Sequence, residues 1–176
     1  MKTIIVDSRE QKWGHVRDGF DRLGVPWVRS KLWCGDYTWA NDQHLVIDRK
    51  QGLQEVYGNL IQAHERFRAE AARAQEADVQ LVVLVEEPGI ATLADVPNWI
   101  NPRERDYRYI QAAQLRGKML GVKLPKKPPV SADRLWAIMQ SMADKYGICW
   151  RFCAPEQTAQ VILDLLGGAL GGAPGD

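Results

Sequence analysis

The feature that most constrains the fold is an almost continuously apolar run, VQLVVLV, at residues 79–85. Its length suits one strand, and a strand without polar alternation is typically buried on both faces of a sheet. Burial on both faces requires helices on both sides. Residues 52–75 and 131–146 have the three- and four-residue apolar spacing of amphipathic helices. The sequence therefore predicts an α/β fold in which helices flank a mixed β-sheet on both faces.

The same patterns predict the order of the elements. Strands are predicted at residues 2–7, 25–32, 35–40, 44–50, 79–85 and 148–152. Helices are predicted at residues 16–23, 52–75, 106–120, 131–146 and 155–166. Gly58 interrupts the longest helix. The second, third and fourth strands follow one another closely, with a turn near residues 41–43, so we expect them to form an antiparallel meander.

The composition excludes several classes of protein. The 176 residues are 45% hydrophobic and 26% charged, with a net charge of +1, which excludes a disordered, collagen-like or coiled-coil chain. No apolar run is long enough to span a membrane, and the first residues lack the pattern of a signal peptide. Three cysteines fit a reducing compartment. We expect a cytoplasmic, non-secreted protein with one domain at residues 1–166 and a flexible Gly-rich tail at residues 167–176.

The residues that carry chemistry are acids at the ends of predicted strands. Asp7 ends the first strand, Asp36 opens the third, and Asp48 lies two residues before Lys50 at the end of the fourth. Asp36 and Asp48 are each six residues from Asp42, so the predicted hairpin brings the two carboxylates face to face. A divalent cation such as Mg²⁺ or Mn²⁺ removes their repulsion. Because a neighbouring Lys can orient water or stabilise a phosphate, the pattern predicts a metal site for phosphate chemistry.

Several short motifs occur in the order found in one nuclease family. They are VDSRE at residues 6–10, GDY at 35–37, VIDRK at 46–50 and LVVLVEE at 81–87. Together they resemble the nuclease domain of the XPF family, in the PD-(D/E)XK superfamily. The resemblance implies a restriction-endonuclease-like fold. It leaves no room in these 176 residues for the tandem helix-hairpin-helix domain that the family usually carries.

The resemblance also implies roles for individual residues. Asp36, Asp48 and Glu10 would hold Mg²⁺ or Mn²⁺, Lys50 would be the catalytic lysine, and Asp7 would be a further acid of the catalytic group. Two positions depart from the family pattern. Asp48 stands where the family has Glu, which the superfamily tolerates. The position after the motif where the family has a second Asp is occupied by an uncharged residue, Gln54.

Basic side chains near the motifs are candidates for contacts with DNA. The resemblance points to Arg9, Arg49 and Arg66. Lys126 and Lys127 lie in a Pro-rich loop, which is either a phosphate-binding segment or a solvated connector.

These observations together predict a metal-dependent DNA endonuclease. By resemblance, its substrates would be branched, flap or fork DNA in repair, recombination or replication. A homodimer formed through the last two helices and a prokaryotic or phage source are further expectations. Two alternatives stay open. One is a restriction or junction-resolving nuclease of the same superfamily. The other is a non-catalytic DNA-binding or scaffolding partner with a nuclease-like fold, which Gln54 permits.

Overall fold

One six-stranded sheet organises the protein, which is described here over residues 2–167 from a computed structural model. The strands are β1 (Ile4–Asp7), β2 (Trp27–Ser30), β3 (Tyr37–Trp39), β4 (Asp42–Lys50), β5 (Gln80–Glu86) and β6 (Cys149–Cys153). The α-helices are α1 (Gly14–Arg22), α2 (Leu53–Tyr57), α3 (His64–Glu76), α4 (Pro102–Leu115), α5 (Ala132–Tyr146) and α6 (Thr158–Leu166). Residues 168–176 of the predicted Gly-rich tail lie outside the described residues.

The apolar run forms β5, which is an interior strand next to the edge strand β6 rather than the centre of the sheet. The strand order is β2-β1-β3-β4-β5-β6, and β5 pairs in parallel with β4 and with β6. Residues 82–85 have no exposed surface, because helices cover both faces. The mixed sheet between two helical layers confirms the predicted fold class.

The predicted meander of β2, β3 and β4 is wrong at its first step. β1 lies between β2 and β3, with Ile4 opposite Trp27 on the parallel side and opposite Trp39 on the antiparallel side. Ile4 and Val6 are fully buried, whereas three of the four β2 residues are exposed. The buried strand suits a position with two neighbours, and the exposed strand suits the edge. Proximity along the chain does not reveal this order.

Two hydrophobic layers hold the helices against the sheet. On one face, α2, α3 and α5 pack through side chains such as Leu53, Phe67 and Leu135. On the other face, α1 and α6 pack through Phe20 and Ile162. The apolar stripes of α5 and α6 are therefore used within the core. None of the helices within residues 2–167 has the length and hydropathy needed to cross a membrane.

The long helix predicted at residues 52–75 is broken where Gly58 predicts an interruption. A π-helical turn at Gly58–Gln62 separates α2 from α3. Such turns are frequent at functional sites. Helix α2 contacts both β4 and β5, so it borders the end of β4.

Helix α4 is the helix least integrated into the core, because none of its residues is buried. It begins four residues earlier than predicted. The Asn101 side chain caps it by accepting a hydrogen bond from the Arg103 N–H, and Pro102 takes the first-turn position that proline favours. Gly117, with a φ of +71°, follows the end of the helix.

The topology collects polar residues at one edge of the sheet. The carboxyl ends of β1, β4, β5 and β6 point to the same edge, and the antiparallel strand β3 begins there. Asp7, Asp36, Asp48, Lys50 and Glu86 all lie at these strand ends. In α/β sheets, ligands bind outside the carboxyl ends of the strands, so this edge is the place to look for a functional site.

Candidate active site

The carboxylates of Asp36 and Asp48 lie next to each other across the β3–β4 hairpin. Tyr37 pairs with Ile47, and the Asp36 N–H donates to the Ile47 carbonyl oxygen at 2.8 Å. The Arg49 N–H donates to Asp36 Oδ2, also at 2.8 Å. Asp36 and Asp48 therefore occupy opposite positions on the same face of the sheet, which is the arrangement that their spacing predicts.

The hairpin reaches this register by a different route from the predicted one. Trp39 pairs with Asp42, so the turn at residues 40–41 is tighter than predicted. The next pair is Tyr37 with Ile47. Between these two pairs β4 contains more residues than β3, so the register shifts. The additional β4 residues compensate for the tighter turn, and the two carboxylates still meet.

Gly35 allows β3 to begin close to β4. Its φ is +64°, and a Cβ at this position would lie 3.1 Å from both the Ile47 carbonyl oxygen and Val46 Cγ1. Any side chain would be both strained and crowded there. Glycine is thus the residue that lets Asp36 approach Asp48.

Lys50 lies against Asp48 at the end of β4. Lys50 Nζ is 2.7 Å from each carboxylate oxygen of Asp48, and the Lys50 side chain is only 12% exposed. The contact has hydrogen-bond geometry at Oδ1 alone, so Asp48 Oδ2 is buried without a hydrogen-bond partner. This oxygen keeps a lone pair that a further ligand can use.

Burial and neighbouring charges set the ionisation of these groups. Burial, followed by the charges of Asp48 and Glu10, raises the pKa of Asp36 well above its usual value. Burial acts to lower the pKa of Lys50, but the charges of Asp48 and Asp36 outweigh burial and raise that pKa. Lys50 is therefore an ammonium group at neutral pH. An ammonium group can stabilise negative charge, but it cannot take up a proton.

The paired carboxylates fit a hard divalent cation. Mg²⁺ is usually held by one or two carboxylates, with water and substrate phosphates completing its coordination. The buried oxygen of Asp48 without a hydrogen-bond partner supplies one such ligand beside Asp36. Within residues 2–167, no group of three or more His, Cys, Asp or Glu side chains forms a ready-made metal cage. The site therefore suits an ion whose coordination the substrate completes.

A buried ionic network lies on the opposite face of β4 from the carboxylate pair. Arg49 Nη1 donates to Glu86 Oε2 at 2.8 Å, and Nη2 donates to Glu10 Oε1. Glu86 Oε1 also accepts a hydrogen bond from Thr158 Oγ1 at 2.7 Å and lies 2.6 Å from His15 Nε2. The network joins β4, β5, α1, α6 and the segment after β1.

This network corrects the predicted role of Arg49. Its side chain is 1% exposed, so it cannot contact DNA, and it positions Glu10 instead. Glu10 is 8% exposed, and its own burial raises its pKa even though Arg49 opposes that shift. The charge of Asp48 also acts to raise the pKa of Glu10. Its role as a metal ligand stays a prediction.

Asp7 lies at the same edge, but its carboxylate is engaged elsewhere. Oδ1 accepts hydrogen bonds from Arg9 N at 2.7 Å and Arg9 Nε at 2.8 Å. Oδ2 accepts from Arg9 Nη2 at 3.0 Å and Leu32 N at 2.7 Å. Burial acts to raise the pKa of Asp7, but these hydrogen bonds outweigh it and lower the pKa. The contacts favour a structural role, joining the segments after β1 and β2, over the catalytic role that the resemblance implies.

Asp7→Asn is expected to lower the free energy of unfolding by about 1–3 kcal/mol at neutral pH, because Asn cannot accept all of these hydrogen bonds. The folded-state pKa of Asp7 is lowered, so this stabilisation is present above the unfolded pKa of about 4 and is lost as pH falls through the folded pKa. Urea unfolding from neutral pH to about pH 3 measures the difference. Asp18→Asn, at a 61% exposed side chain, is the matched control. A difference that persists unchanged in acid would contradict this account.

The other predicted DNA contacts are accessible. The Arg9 side chain is 64% exposed despite its ion pair with Asp7. Arg66 is exposed on α3, and Lys126 and Lys127 are exposed in the segment after α4. Their contacts with DNA stay predictions.

Glu70 lies near the pair although it belongs to none of the motifs. Its Oε1 accepts a hydrogen bond from the Gly35 N–H at 3.2 Å, next to Asp36. The available sequence signal is its place on α3, between the buried residues Phe67 and Ala71. That place gives Glu70 a partly buried position rather than the solvated one expected of a surface ion pair.

A second acid outside the motifs is Glu55 on α2. Its Oε1 lies 3.9 Å from Lys50 Nζ. The neighbouring residue, Gln54, is exposed and occupies the position where the resembled family has Asp. The helix after β4 thus brings an acid toward Lys50 one residue later than the family pattern implies.

Comparisons with known proteins agree with this fold. The sequence profile of the ERCC4 domain matches residues 6–163. XPF from Aeropyrum pernix matches with a TM-score of 0.62 and 22% sequence identity, over 96% of this chain and 65% of that chain. XPF from Aeropyrum pernix in complex with DNA matches with a TM-score of 0.61 and 22% identity, over 100% of this chain and 68% of that chain. The chain thus covers less than two thirds of the first structure, and at this identity the likeness concerns the fold. No curated protein sequence matches the chain.

Proposed function

We propose that this chain, which belongs to the ERCC4 domain family, is a metal-dependent endonuclease that hydrolyses phosphodiester bonds in DNA. The observation that carries the proposal is the Asp36–Asp48 pair beside the Lys50 ammonium, with one buried Asp48 oxygen left without a hydrogen bond. Two adjacent carboxylates are unfavourable in a sheet. Titratable groups with strongly perturbed pKa values cluster at functional sites, so the pair is best explained by a ligand that it binds.

Asp36 and Asp48 would hold the ion, Mg²⁺ or Mn²⁺, through their carboxylate oxygens. When bound, such an ion lowers the pKa of a water molecule and stabilises the negative charge on the phosphoryl group. Glu10, held by Arg49, is the third candidate ligand. The remaining steps depend on this chain's own side chains and on where the DNA lies.

Lys50 supplies the fixed positive charge of the proposed reaction. Its ammonium group can donate a hydrogen bond to a phosphate oxygen or orient the lone pair of the attacking water. Without a bound ion, the charges of Asp48 and Asp36 keep Lys50 protonated, so Lys50 brings a positive charge to the site. Its contact with Asp48 also fixes where that charge lies.

We propose branched DNA, such as flaps and forks, as the preferred substrate, with a role in repair, recombination or replication. The support is the resemblance of the motifs to the XPF family, together with a solved relative that is itself in complex with DNA. Exposed cations such as Arg9 and Arg66 offer phosphate contacts. Such contacts position DNA without reading its sequence, as structure selectivity requires.

Cleavage of end-labelled flap, fork, single-stranded and plain duplex DNA tests the proposal, with Mg²⁺, Mn²⁺ or EDTA present. We expect cleavage only with a divalent ion, and more of it on flap or fork DNA than on plain duplex. Lys50→Met is expected to reduce the rate by about 10²–10³-fold, because it removes a fixed charge aimed at the phosphate. Cleavage in EDTA would contradict the metal-dependent mechanism. DNA binding without cleavage under any of these conditions would support the scaffolding alternative.

We also propose that the protein forms a homodimer, although the structure weakens the surface first considered for it. The buried residues of α5 and α6, such as Leu135 and Ile162, pack within the core, so their apolar stripes do not by themselves indicate an interface. Light scattering during gel filtration decides the question, because a monomer at working concentration would contradict a homodimer.

A further inference from the structure

The positive charge of the chain is concentrated in one segment, residues 102–129, which we name the basic arm. It comprises α4 and the Pro-rich segment that follows. It carries eight Lys and Arg side chains and two acidic ones, whereas the net charge of the whole chain is +1. The rest of the chain is therefore net acidic. No residue of α4 is buried, so this charge lies outside the core.

The basic arm and the end of α2 enclose a groove of about 630 Å³. This volume lies within the range of sites that bind small organic groups, about 300–1,000 Å³. Apolar and aromatic side chains form most of its lining, among them Tyr57, Tyr107, Ile110 and Leu124. Such a lining offers contacts to the apolar or aromatic groups of a ligand.

Cations surround this apolar lining. Arg103, Lys123 and Lys127 line the groove, and Asp106 is its one acidic residue within the part of the chain that the structure describes. The Arg103 guanidinium lies 5.4 Å from the centre of the Tyr57 ring, which places a cation directly over an aromatic face. Aromatic faces and cations in one groove are the combination that binds unpaired nucleotides, because bases stack on rings and phosphates pair with Lys and Arg.

The groove also lies close to the candidate active site along the chain. Helix α2 contributes Glu55, 3.9 Å from Lys50 Nζ, and Tyr57, which lines the groove two residues later. The hydroxyl of Tyr57 accepts a hydrogen bond from the Val130 N–H at 2.9 Å. This bond ties the residue that follows the basic arm to α2. Helix α2 therefore contributes one residue to the groove and another to the surroundings of Lys50.

We propose that this groove binds unpaired nucleotides of single-stranded DNA, with bases against Tyr107 and phosphates on Arg103, Lys123 and Lys127. The inference rests on the proposed function for the identity of the nucleic acid, and it names the part of a branched substrate that the groove would hold. A duplex keeps its bases stacked inside, so only an unpaired strand can place a base on the apolar lining. A second copy of this chain fits less well, because the arm's net positive charge would also be present on the copy.

Fluorescence anisotropy of a labelled oligodeoxythymidine about 15 nucleotides long, measured in EDTA, tests the groove without cleavage. Tyr107→Ala is expected to weaken binding by about 5- to 100-fold, because stacking on one aromatic ring supplies that much affinity. Tyr109→Ala is the matched control, since Tyr109 is on the same helix, is 68% exposed and does not line the groove. Both variants should fold, because α4 buries none of its residues.

The dependence on salt separates the two kinds of contact. For single strands, the logarithm of affinity falls with the logarithm of salt concentration by about 0.7 for each phosphate contact. Lys127→Ala is therefore expected to reduce this slope by about 0.7, whereas Tyr107→Ala should weaken binding and leave the slope unchanged. Lys145→Ala, an exposed lysine of α5, controls for loss of one positive charge outside the groove.

Photocrosslinking with 5-iododeoxyuridine in the same oligonucleotide locates the bases. Crosslinks at Tyr107 support the proposal. Absence of single-strand binding, unaltered binding by Tyr107→Ala and Lys127→Ala, or crosslinks confined to other surfaces would overturn it. A change in oligomeric state caused by Tyr107→Ala would also overturn it, in favour of a second copy. Metal-dependent cleavage by a protein that does not bind the oligonucleotide would refute only the proposal that the groove binds single strands. Binding of the oligonucleotide without metal-dependent cleavage would refute only the proposed nuclease activity.

Discussion

Asp48→Asn and Asp36→Asn are each expected to reduce metal-dependent DNA cleavage by about 10²–10³-fold or more, because each removes a carboxylate that would hold the ion. Asp42→Asn is the matched control: Asp42 is exposed at the start of the same strand, and its substitution should leave cleavage unchanged. Cleavage by either site variant at the wild-type rate would contradict the assignment of the site.

The same substitutions have an expected effect on stability that does not depend on cleavage. The pKa of Asp36 is raised, so its ionised form destabilises the fold, and this cost grows as pH rises above the unfolded pKa of about 4. Without metal at neutral pH, Asp36→Asn should therefore raise the melting temperature, by about 2–4 °C for each kcal/mol of relief. The hydrogen bond from the Arg49 N–H can be kept, since Asn retains an acceptor oxygen.

Adding Mg²⁺ should make the melting temperature of wild type higher than that of Asp36→Asn, which reverses their order without metal. A ligand at about 100 times its dissociation constant stabilises the folded state by about 2.7 kcal/mol. Wild type should gain this stability in thermal unfolding, and Asp36→Asn should gain little. An equal effect of Mg²⁺ on both proteins would show that the ion binds elsewhere, whatever the outcome of the cleavage assay.

The largest expected effect on stability comes from Arg49→Met, with a loss of about 3–5 kcal/mol in the free energy of unfolding. The substitution leaves Glu10 and Glu86 buried without their shared partner. For a chain of this size the melting temperature should fall by about 6–20 °C. Urea unfolding at neutral pH measures the free energy directly. Arg17→Met, which removes an exposed arginine paired with Asp18, should change stability by less than about 0.5 kcal/mol.

A double variant separates the loss of the ion pairs of Arg49 from the cost of burying a carboxylate that has lost its partner. If unpaired buried carboxylates cause the instability, Glu86→Gln combined with Arg49→Met should be more stable than Arg49→Met alone. The single variant should also recover part of its stability as pH falls, because an unpaired buried carboxylate has a raised pKa and becomes neutral. Additive losses in the double variant, with no recovery in acid, would mean that packing rather than charge dominates.

Local sequence was sufficient to predict the Asp36–Asp48 pair but not the path of the chain that produces it. The two residues belong to neighbouring strands of one hairpin, so counting outward from the turn places them opposite each other. The observed turn is tighter, and a register shift between Tyr37 and Trp39 restores the pairing. The alternation of side chains along a strand does not show such an irregularity, because it depends on hydrogen bonds to the partner strand.

Arg49 shows where prediction from local sequence fails. Its position between Asp48 and Lys50 suggests an active-site cation. Because neighbouring side chains in a strand point to opposite faces, Arg49 faces away from both. Its partners Glu10 and Glu86 are 39 and 37 residues away in sequence. No local pattern identifies partners at that distance, so both the burial of Arg49 and its structural role become visible only once the sheet is assembled.

The sequence by itself determined the α/β class, the burial of β5 on both faces and the grouping of Asp36, Asp48 and Lys50. All three follow from short-range properties: continuous apolarity, helical periodicity and the register of one hairpin. The tertiary structure decided that β1 separates β2 from β3, that Arg49 is buried, that Glu70 and Glu55 approach the site, and that the basic arm forms a groove with α2. These features depend on which distant segments exclude water together, and that is a property of the folded chain as a whole rather than of any local segment.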